Sequence, residues 1–343
     1  MISNTLRVNK KANLLFGIFL FIWSTFSLEE IFVFANFELS NASAIIALRF
    51  LQFFVPIFFY YGTVFYTNPD FKYGRSDFNF FILPIIYLLG LFLDSQKVGN
   101  EILPIILNVL IIIHALFMTI LSYIKIKEHK KKINLFASNT VEIDLRWLEY
   151  IIISLLVLSI FIGVYNAIFP SGDLNLVANL FSLVIVYFVA INALRQKEIF
   201  VLNEDQRNQI IESTQSPTTE KRKLLSIEEL EKLKSELTRV MEIEQPYLNP
   251  ELSLLQLSSI VNITPHQLSY LINEGFNENF FMYVNKYRVK KVKEYLNDKG
   301  KQNLAILGIA FESGFNSKTS FYTTFKKITS MTPSEFLKKS PRL

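Results

Sequence analysis

The sequence predicts an all-α protein: a polytopic bundle of about six transmembrane helices, followed by a cytoplasmic domain with two helix-turn-helix units. Two observations support this fold class. Long apolar segments fill residues 1–195, whereas the remainder of the chain is charged and mixed in composition. Capping residues and apolar stripes at helical spacing recur through residues 248–343. Residues 196–247 are expected to form a linker that contains one helix.

The apolar half contains several segments that approach the roughly 20 residues needed to cross a bilayer. They are Leu14–Phe34, Ala44–Phe65, Phe78–Leu93, Ile102–Ile124, Trp147–Phe169 and Leu174–Leu194. The third is short, and a buried helix of a soluble fold is the alternative for it. A cleaved signal peptide is the alternative for the first, but its apolar stretch is long and Glu29 and Glu30 interrupt it.

Lysine and arginine are concentrated in alternate connections between these segments. Lys10 and Lys11 precede the first segment, Lys125–Lys132 lie between the fourth and fifth, and Arg195 follows the sixth. Connections rich in these residues stay in the cytoplasm. The pattern therefore predicts a multi-pass protein of the cytoplasmic membrane, in contact with the lipid bilayer and with both termini in the cytoplasm.

Three polar side chains within the apolar segments are candidates for function, namely Arg49, Asn108 and His114. Polar groups at membrane depth are costly and often mark functional sites. The structural alternative is favoured for each: Arg49 can reach the interface, and Asn108 and His114 can bond between helices. The sensed signal, a small molecule or a property of the membrane, is not identified by the sequence.

Catalytic and metal-binding motifs are missing from the sequence. The chain has no cysteine, and its three histidines are far apart. No nucleophile–base pair, metal-ligand spacing or glycine-rich phosphate loop stands out. We therefore expect neither an enzyme nor a bound metal or cofactor.

Positive charge is concentrated at the C-terminal end. Thirteen basic and seven acidic residues lie between Leu248 and Leu343, an excess of six, while the whole chain has a net charge of +5. A local excess of this kind favours a polyanionic partner, although a solubilising surface is an alternative.

The linker combines a loop and a helix. Residues 213–219 have the composition of a flexible tether, and Ser226 with Glu229 forms a capping box that starts a helix. An apolar stripe on this helix can dimerise it or pack it on the following domain. The stripe is too short to argue for a coiled coil, so packing is favoured and homodimer formation stays open.

Short helices with tight turns follow in a repeated order. Thr264, Pro265 and Gln267 cap a second helix after the one that Ser253 and Gln256 begin. A long spacer helix of about Phe280–Leu296 comes next, and the helix-turn-helix pattern then recurs around Gly314, which suits positive φ. Asn316 or Ser317 caps the second recognition helix, and Thr332–Glu335 starts a final short helix. Such an arrangement can place two recognition helices in successive major grooves.

These residues resemble a known family. The motifs Phe280-Phe-x-Tyr283, Ile306-x-x-Ile309-Ala310-x-x-x-Gly314-Phe315 and Met331-Thr-Pro333 closely resemble the AraC/XylS-family domain over about Leu248–Lys339. The apolar half also looks like the N-terminal region of membrane-bound members of that family. The resemblance implies a bacterial, membrane-anchored transcription regulator that binds double-stranded DNA and acts in one-component signal transduction.

The same resemblance assigns candidate DNA contacts. The first recognition helix would present His266, Ser269 and Tyr270, and the second Lys318, Thr319 and Thr323 with Tyr322 beside them. Lys318 can donate to a guanine edge or to phosphate. Candidates for phosphate contact on the spacer helix are Arg288, Lys290, Lys291 and Lys293.

The first helix-turn-helix departs from the family pattern. Ser258 stands where alanine is usual, Asn262 where glycine is common, and the basic recognition face is missing. The first half would then read bases weakly or read a different sequence. Two other functions stay open: a membrane-tethered protein-docking module without DNA binding, and a membrane transporter or enzyme with a passenger domain.

Overall fold

The computed structural model describes residues 8–28, 31–32, 35, 41–96, 102–140, 143–168, 175–196, 210, 225–298, 300 and 304–339. Within these residues every regular element is a helix, which confirms the all-α class. The chain divides into two compact units. The first comprises Met1–Glu128 and Leu145–Ile199, and the second comprises His129–Asp144 and Phe200–Leu343.

The first unit is built from long apolar helices. They are α1 (Lys10–Ser24), α2 (Ala42–Gln52), α3 (Val55–Thr67), α4 (Ile82–Ser95), α5 (Ile102–Ile133), α6 (Arg146–Ile168) and α7 (Asn175–Arg195). A 3-10 turn over Arg75–Phe81 leads into α4. The last residues of α5 continue into the second unit.

Among the described residues, three helical stretches are long and apolar enough to cross a membrane. They are Ala42–Thr67, Arg75–Ser95 and Ile102–Ile133. Their outward apolar side chains are well exposed, as lipid-facing residues are, and membrane association is supported on this basis. By length and composition, the described residues thus contain three candidate spans, and the six that the sequence predicts are not clearly present.

The other predicted spans are helical to different extents. Helix α1 has 15 residues, and the end of the predicted first span lies outside the described residues. Helices α6 and α7 have 23 and 21 residues and coincide with the fifth and sixth segments. Membrane crossing by these three helices stays a prediction.

Aromatic packing joins the helices of the first unit. The ring of Phe16 on α1 lies 5.5 to 5.7 Å from the rings of Phe59, Tyr66 and Trp147. Gly62 allows this approach, because a Cβ atom there would lie 2.8 Å from the Phe16 ring. Large rings against a glycine therefore hold α1 on α3.

The second unit contains shorter helices. They are α8 (Ile227–Ile243), α9 (Leu254–Val261), α10 (Pro265–Phe276), α11 (Phe280–Asn297), α12 (Ile306–Glu312), α13 (Lys318–Thr329) and α14 (Pro333–Lys339). A 3-10 turn over Pro246–Leu248 precedes α9. The predicted tether at residues 213–219 lies outside the described residues.

The predicted capping boxes are confirmed. The hydroxyls of Ser226, Ser253 and Thr264 each accept from the backbone N–H three residues on. In return, the backbone N–H of each cap residue donates to the side-chain oxygen of that third residue. Thr332 and Glu335 exchange the same pair of bonds. Ser317, rather than Asn316, caps α13. Local side-chain chemistry therefore sets the start of these helices.

Helix α11 connects two hydrophobic cores. Its first half contributes Tyr283 and Val284 to a core with α8, α9 and α10, and its second half contributes Val292 and Leu296 to a core with α12 and α13. Each helix-turn-helix thus has its own core, and one continuous helix fixes the two relative to each other.

Helix α8 packs onto the domain that follows it. Leu237, Val240 and Met241 are buried in the first of these cores, with Leu230 and Leu233 packed against it. This is the packing alternative for the linker helix. Among the apolar residues of α8, the side chains that stay mostly exposed are those of Ile227 and Ile243 at its two ends.

Candidate nucleic-acid interface and membrane cavity

The second recognition helix, α13, has a clear outward face. Its buried side holds Phe321 and Phe325, which are fully buried in the second core. Lys318, Thr319 and Thr323 are exposed on the opposite side, and Tyr322 is half-buried beside them. The Lys318 ammonium lies 6.0 Å from the centroid of the Tyr322 ring. The structure thus places this predicted set together on one surface.

The first recognition helix, α10, presents a smaller outward face. His266 and Tyr270 are half-buried, and the neighbouring Glu274 is exposed. Ser269 is only 4% exposed, and its hydroxyl lies 3.4 Å from the Asn273 amide nitrogen. Ser269 therefore does not belong to the outward face, because its position on α10 turns it towards the core. The prediction for this residue is corrected.

The lysines of spacer helix α11 differ in availability. Lys290 is exposed. Lys291 lies 3.6 Å from the Glu294 carboxylate and 4.9 Å from the centroid of the Tyr295 ring. Lys293 lies 5.4 Å from the centroid of the Phe336 ring. Lys290 is the best placed of the three for a phosphate, since binding by the others would disturb contacts within the domain.

Arg288 is interior rather than on the surface. Its side chain is 1% exposed, and its guanidinium donates to the carbonyls of Tyr247 and Asn249 at 2.8 Å each. It also donates to the Ser138 carbonyl at 3.2 Å and the Ser138 hydroxyl at 3.0 Å. The predicted phosphate contact is therefore corrected, because this side chain is buried and its donors are used.

The buried guanidinium keeps its charge at neutral pH. Burial lowers the pKa of Arg288 to about 9, and the nearby negative charge of Glu251 opposes this shift. An unpaired buried charge is costly, so the surrounding oxygens are needed to stabilise it. Arg288 is thus a structural side chain held by hydrogen bonds to oxygens, and none of the described carboxylates is bonded to it.

The turn of the second helix-turn-helix packs directly against this arginine. Gly314 has a φ of +92°, as the sequence predicts, and a Cβ atom there would lie 2.2 Å from the Tyr247 carbonyl oxygen. The guanidinium carbon of Arg288 lies 6.0 Å from the centroid of the Phe315 ring. Asn316 donates to the Glu251 carboxylate at 3.2 Å. Arg288 therefore lies where the two helix-turn-helix units meet.

Two of the predicted intramembrane polar residues line one cavity in the first unit. This cavity has a volume of about 390 Å³, and its polar walls include Arg49, Asn108, Gln52 and Asp94. The Arg49 carbonyl accepts from the Phe53 N–H at 3.1 Å, whereas the Arg49 side chain makes no hydrogen bond or ion pair within the described part of the chain.

His114 lies behind the aromatic wall of that cavity. It stacks on Phe53 at 4.4 Å, and Tyr87 stacks on Phe53 at 4.3 Å. His114 is buried and is not among the cavity-lining residues. The structure thus groups Arg49 with Asn108 and separates His114 from them.

Sequence reasoning missed four exposed lysines and one structural segment. Lys326 and Lys327 lie on the outward side of α13, and Lys338 and Lys339 on α14. Lys326 and Lys327 stand three and four residues after Thr323, and this helical spacing could have found the first pair. The segment His129–Asp144 packs within the second unit, which no local sequence signal indicates.

Comparison with known proteins agrees with this geometry. A family described as a helix-turn-helix domain, of the AraC type, matches residues 257–339. No curated protein and no solved structure matches the chain. The family match supports an AraC/XylS-family regulator with DNA as its partner. DNA-binding regulators of this kind are generally not enzymes.

Proposed function

We propose that this chain is a membrane-anchored, sequence-specific transcription regulator of one-component signal transduction. The observation that carries the proposal is the combination, in one chain, of apolar helices long enough to cross a bilayer and an AraC-type helix-turn-helix domain. Such a protein can receive a signal at the membrane and bind a promoter without a separate transmitter. The proposed location is the bacterial cytoplasmic membrane, with both termini in the cytoplasm.

In this proposal the second helix-turn-helix supplies most of the sequence reading. Lys318, Thr319 and Thr323 are exposed in the first half of α13, and the N-terminal part of the recognition helix of this motif contacts base edges. Lys326 and Lys327 on the same helix are placed to meet phosphates. The first recognition helix, with His266 and Tyr270 half-buried and Glu274 exposed, contributes less affinity.

The proposed signal input is the cavity around Arg49. Its volume of about 390 Å³ suits a small molecule, and its walls combine a guanidinium, a carboxylate, two amides and aromatic rings. An amphipathic ligand with a zwitterionic head matches this lining, and it can be a free solute or a lipid. Arg49→Gln is expected to change reporter expression from the target promoter while DNA affinity of the purified protein stays unchanged.

Genome-wide mapping of the sites occupied by the intact protein tests the proposal. Discrete sites that are lost in a Lys318→Ala variant would support sequence-specific regulation. Fusion reporters placed after Arg195 test the topology in the same strain. A reporter outside the cell would contradict the proposal, and absence of any occupied site would favour the protein-docking module.

A further inference from the structure

Residues 129–144, here named the coupling loop, lie between two apolar helices in sequence but belong to the second unit. The loop begins in the last turn of α5 and ends just before α6. A ring nitrogen of His129 lies 2.7 Å from the Ile143 carbonyl oxygen. This contact places the two ends of the loop next to each other.

The coupling loop supplies part of a hydrophobic core. Leu135 and Phe136 are 8% and 9% exposed, and they belong to the same core as Leu254, Leu257 and Tyr283. This is the core of the first helix-turn-helix. Removing the loop would therefore expose apolar surface of the DNA-binding unit.

Backbone groups of the loop also complete two helix N-termini. The N–H of Leu254, the first residue of α9, donates to the Phe136 carbonyl at 2.9 Å. The N–H of Phe281, the second residue of α11, donates to the Asn134 carbonyl at 3.1 Å. First-turn N–H groups have no partner within their own helix, so the loop satisfies donors that would otherwise be left without a protein acceptor.

Ser138 connects the loop to the junction of the two helix-turn-helix units. It is fully buried, and its hydroxyl donates to the Leu252 carbonyl at 2.6 Å. Its carbonyl accepts from Asn285 at 2.9 Å and from Arg288 at 3.2 Å. Arg288 in turn lies against Phe315 and close to Gly314 of the second turn. Ser138 thus bonds to Arg288, which lies at the junction of the two helix-turn-helix units.

We propose that the coupling loop is an integral part of the DNA-binding unit and transmits displacements of α5 to the relative placement of the two recognition helices. The mechanical basis is that both ends of the loop continue covalently into apolar helices, while its middle bonds to Arg288. Two recognition helices enter successive grooves only at a fixed separation, so a shift of Ser138 changes binding to paired sites. The DNA part of this inference rests on the proposed function.

Disulfide cross-linking in the full-length protein in membranes tests the docking of the loop. The chain has no native cysteine, so introduced pairs report unambiguously. Ala137 and Ser253 form an antiparallel bridge, and the bonds on either side of it make them a non-hydrogen-bonded pair. Such pairs have Cα atoms about 4.5 Å apart, within the range of a disulfide.

The pair Ala137→Cys with Ser253→Cys is expected to cross-link on mild oxidation. Ala137→Cys with Ser259→Cys is the control, because Ser259 is exposed and lies about 9 Å farther along α9. Selective cross-linking of the first pair supports the docked loop. Failure of the first pair, or equal yields for both, would overturn it.

Ser138→Ala in the same full-length protein tests the transmission. We expect about a tenfold loss of affinity for a duplex with both half-sites, and unchanged affinity for a duplex with the second half-site alone. Ser259→Ala, which removes an exposed hydroxyl on α9, serves as the control. Cross-linking of the 137/253 pair in the Ser138→Ala background verifies that the loop still docks.

The outcomes separate this inference from the proposed function. Cross-linking of the 137/253 pair without DNA binding by the parent protein would support the docking of the loop and would reject the proposed regulator function. Unchanged affinity of Ser138→Ala for paired sites would reject transmission. An equal loss on paired and single half-sites would also reject it, since a general destabilisation would explain that result.

Discussion

The guanidinium of Arg288 donates to both the carbonyl and the hydroxyl of Ser138, a residue 150 positions earlier in the chain. The two residues join a loop between apolar helices to the spacer helix of the helix-turn-helix domain. Tyr247 and Asn249 complete the acceptors around the same guanidinium. Among the described residues of the second unit, the buried Arg288 guanidinium therefore joins three separate segments of the chain by hydrogen bonds.

Replacement of Arg288 by methionine is expected to destabilise the second unit. The change leaves the carbonyls of Tyr247, Asn249 and Ser138 without this donor, at a cost of about 3 kcal/mol. Lys290→Met is the matched control, because Lys290 is exposed on the same helix. Thermal unfolding of the detergent-solubilised protein measures both. Equal melting temperatures for the two variants would contradict the structural role of Arg288.

Alanine at Gly314 is expected to disturb the junction between the two helix-turn-helix units. The residue has positive φ, and an added Cβ would lie 2.2 Å from the Tyr247 carbonyl oxygen. We expect a loss of about 2–4 kcal/mol in the free energy of unfolding.

Gly308→Ala provides the control for Gly314→Ala. Gly308 lies within α12, and a Cβ added there meets no atom within 4 Å. This change is expected to be neutral or to stabilise the protein by up to about 1 kcal/mol through helix propensity. Denaturant titration of both variants checks the pair. A larger loss at Gly308 than at Gly314 would show that the turn geometry is wrong.

Lys318→Ala is expected to weaken binding to the true site by about 1–3 kcal/mol if Lys318 reads a base. Binding to unrelated duplexes should change little. Lys232→Ala, an exposed lysine on α8, is the control for a loss of charge alone. Competition titrations with target and scrambled duplexes distinguish the two effects. A uniform loss on all sequences would assign Lys318 to phosphate contact.

Lys326 and Lys327 are expected to contribute affinity without sequence preference. Each exposed ammonium that meets a phosphate releases counterions, so removing one reduces the slope of log affinity against log salt by about 1. Titration of Lys326→Ala and Lys327→Ala at several salt concentrations measures this slope. An unchanged slope for both variants would exclude them from the DNA contact.

Tyr270 and Ser269 are neighbours on α10, and we expect their replacement to affect DNA affinity differently. Tyr270→Ala should lower DNA affinity with little change in stability, because its side chain lies on the outward side. Ser269→Ala should leave DNA affinity nearly unchanged, because Ser269 is 4% exposed. Parallel binding and unfolding curves test the assignment. The reverse pattern would restore Ser269 as a contact.

Local signals predicted most of the C-terminal fold. Ser253 with Gln256, and Thr264 with Gln267, are capping boxes that fix helix starts through contacts three residues apart. Gly314 was predictable because its turn needs positive φ. These elements depend on neighbours in sequence, which is why a sequence alone indicates them.

Long-range contacts were not predictable in this way. Arg288 stands near Lys290 and Lys291 in sequence, and the family resemblance implies a phosphate contact for all three. Its burial depends on Ser138 and Tyr247, and no local periodicity specifies those contacts. The same limit applies to the apolar half. Apolar composition predicts membrane spans, but it does not predict the cavity that Arg49 and Asn108 line together.

The most direct test of the central claim is DNA binding by the full-length protein in lipid nanodiscs. A duplex from a mapped site and a scrambled duplex of equal length are titrated at several salt concentrations. The account predicts at least about a thousandfold preference for the mapped duplex and an affinity that falls steeply with salt. Equal affinity for the two duplexes, or no binding at low salt, would contradict it.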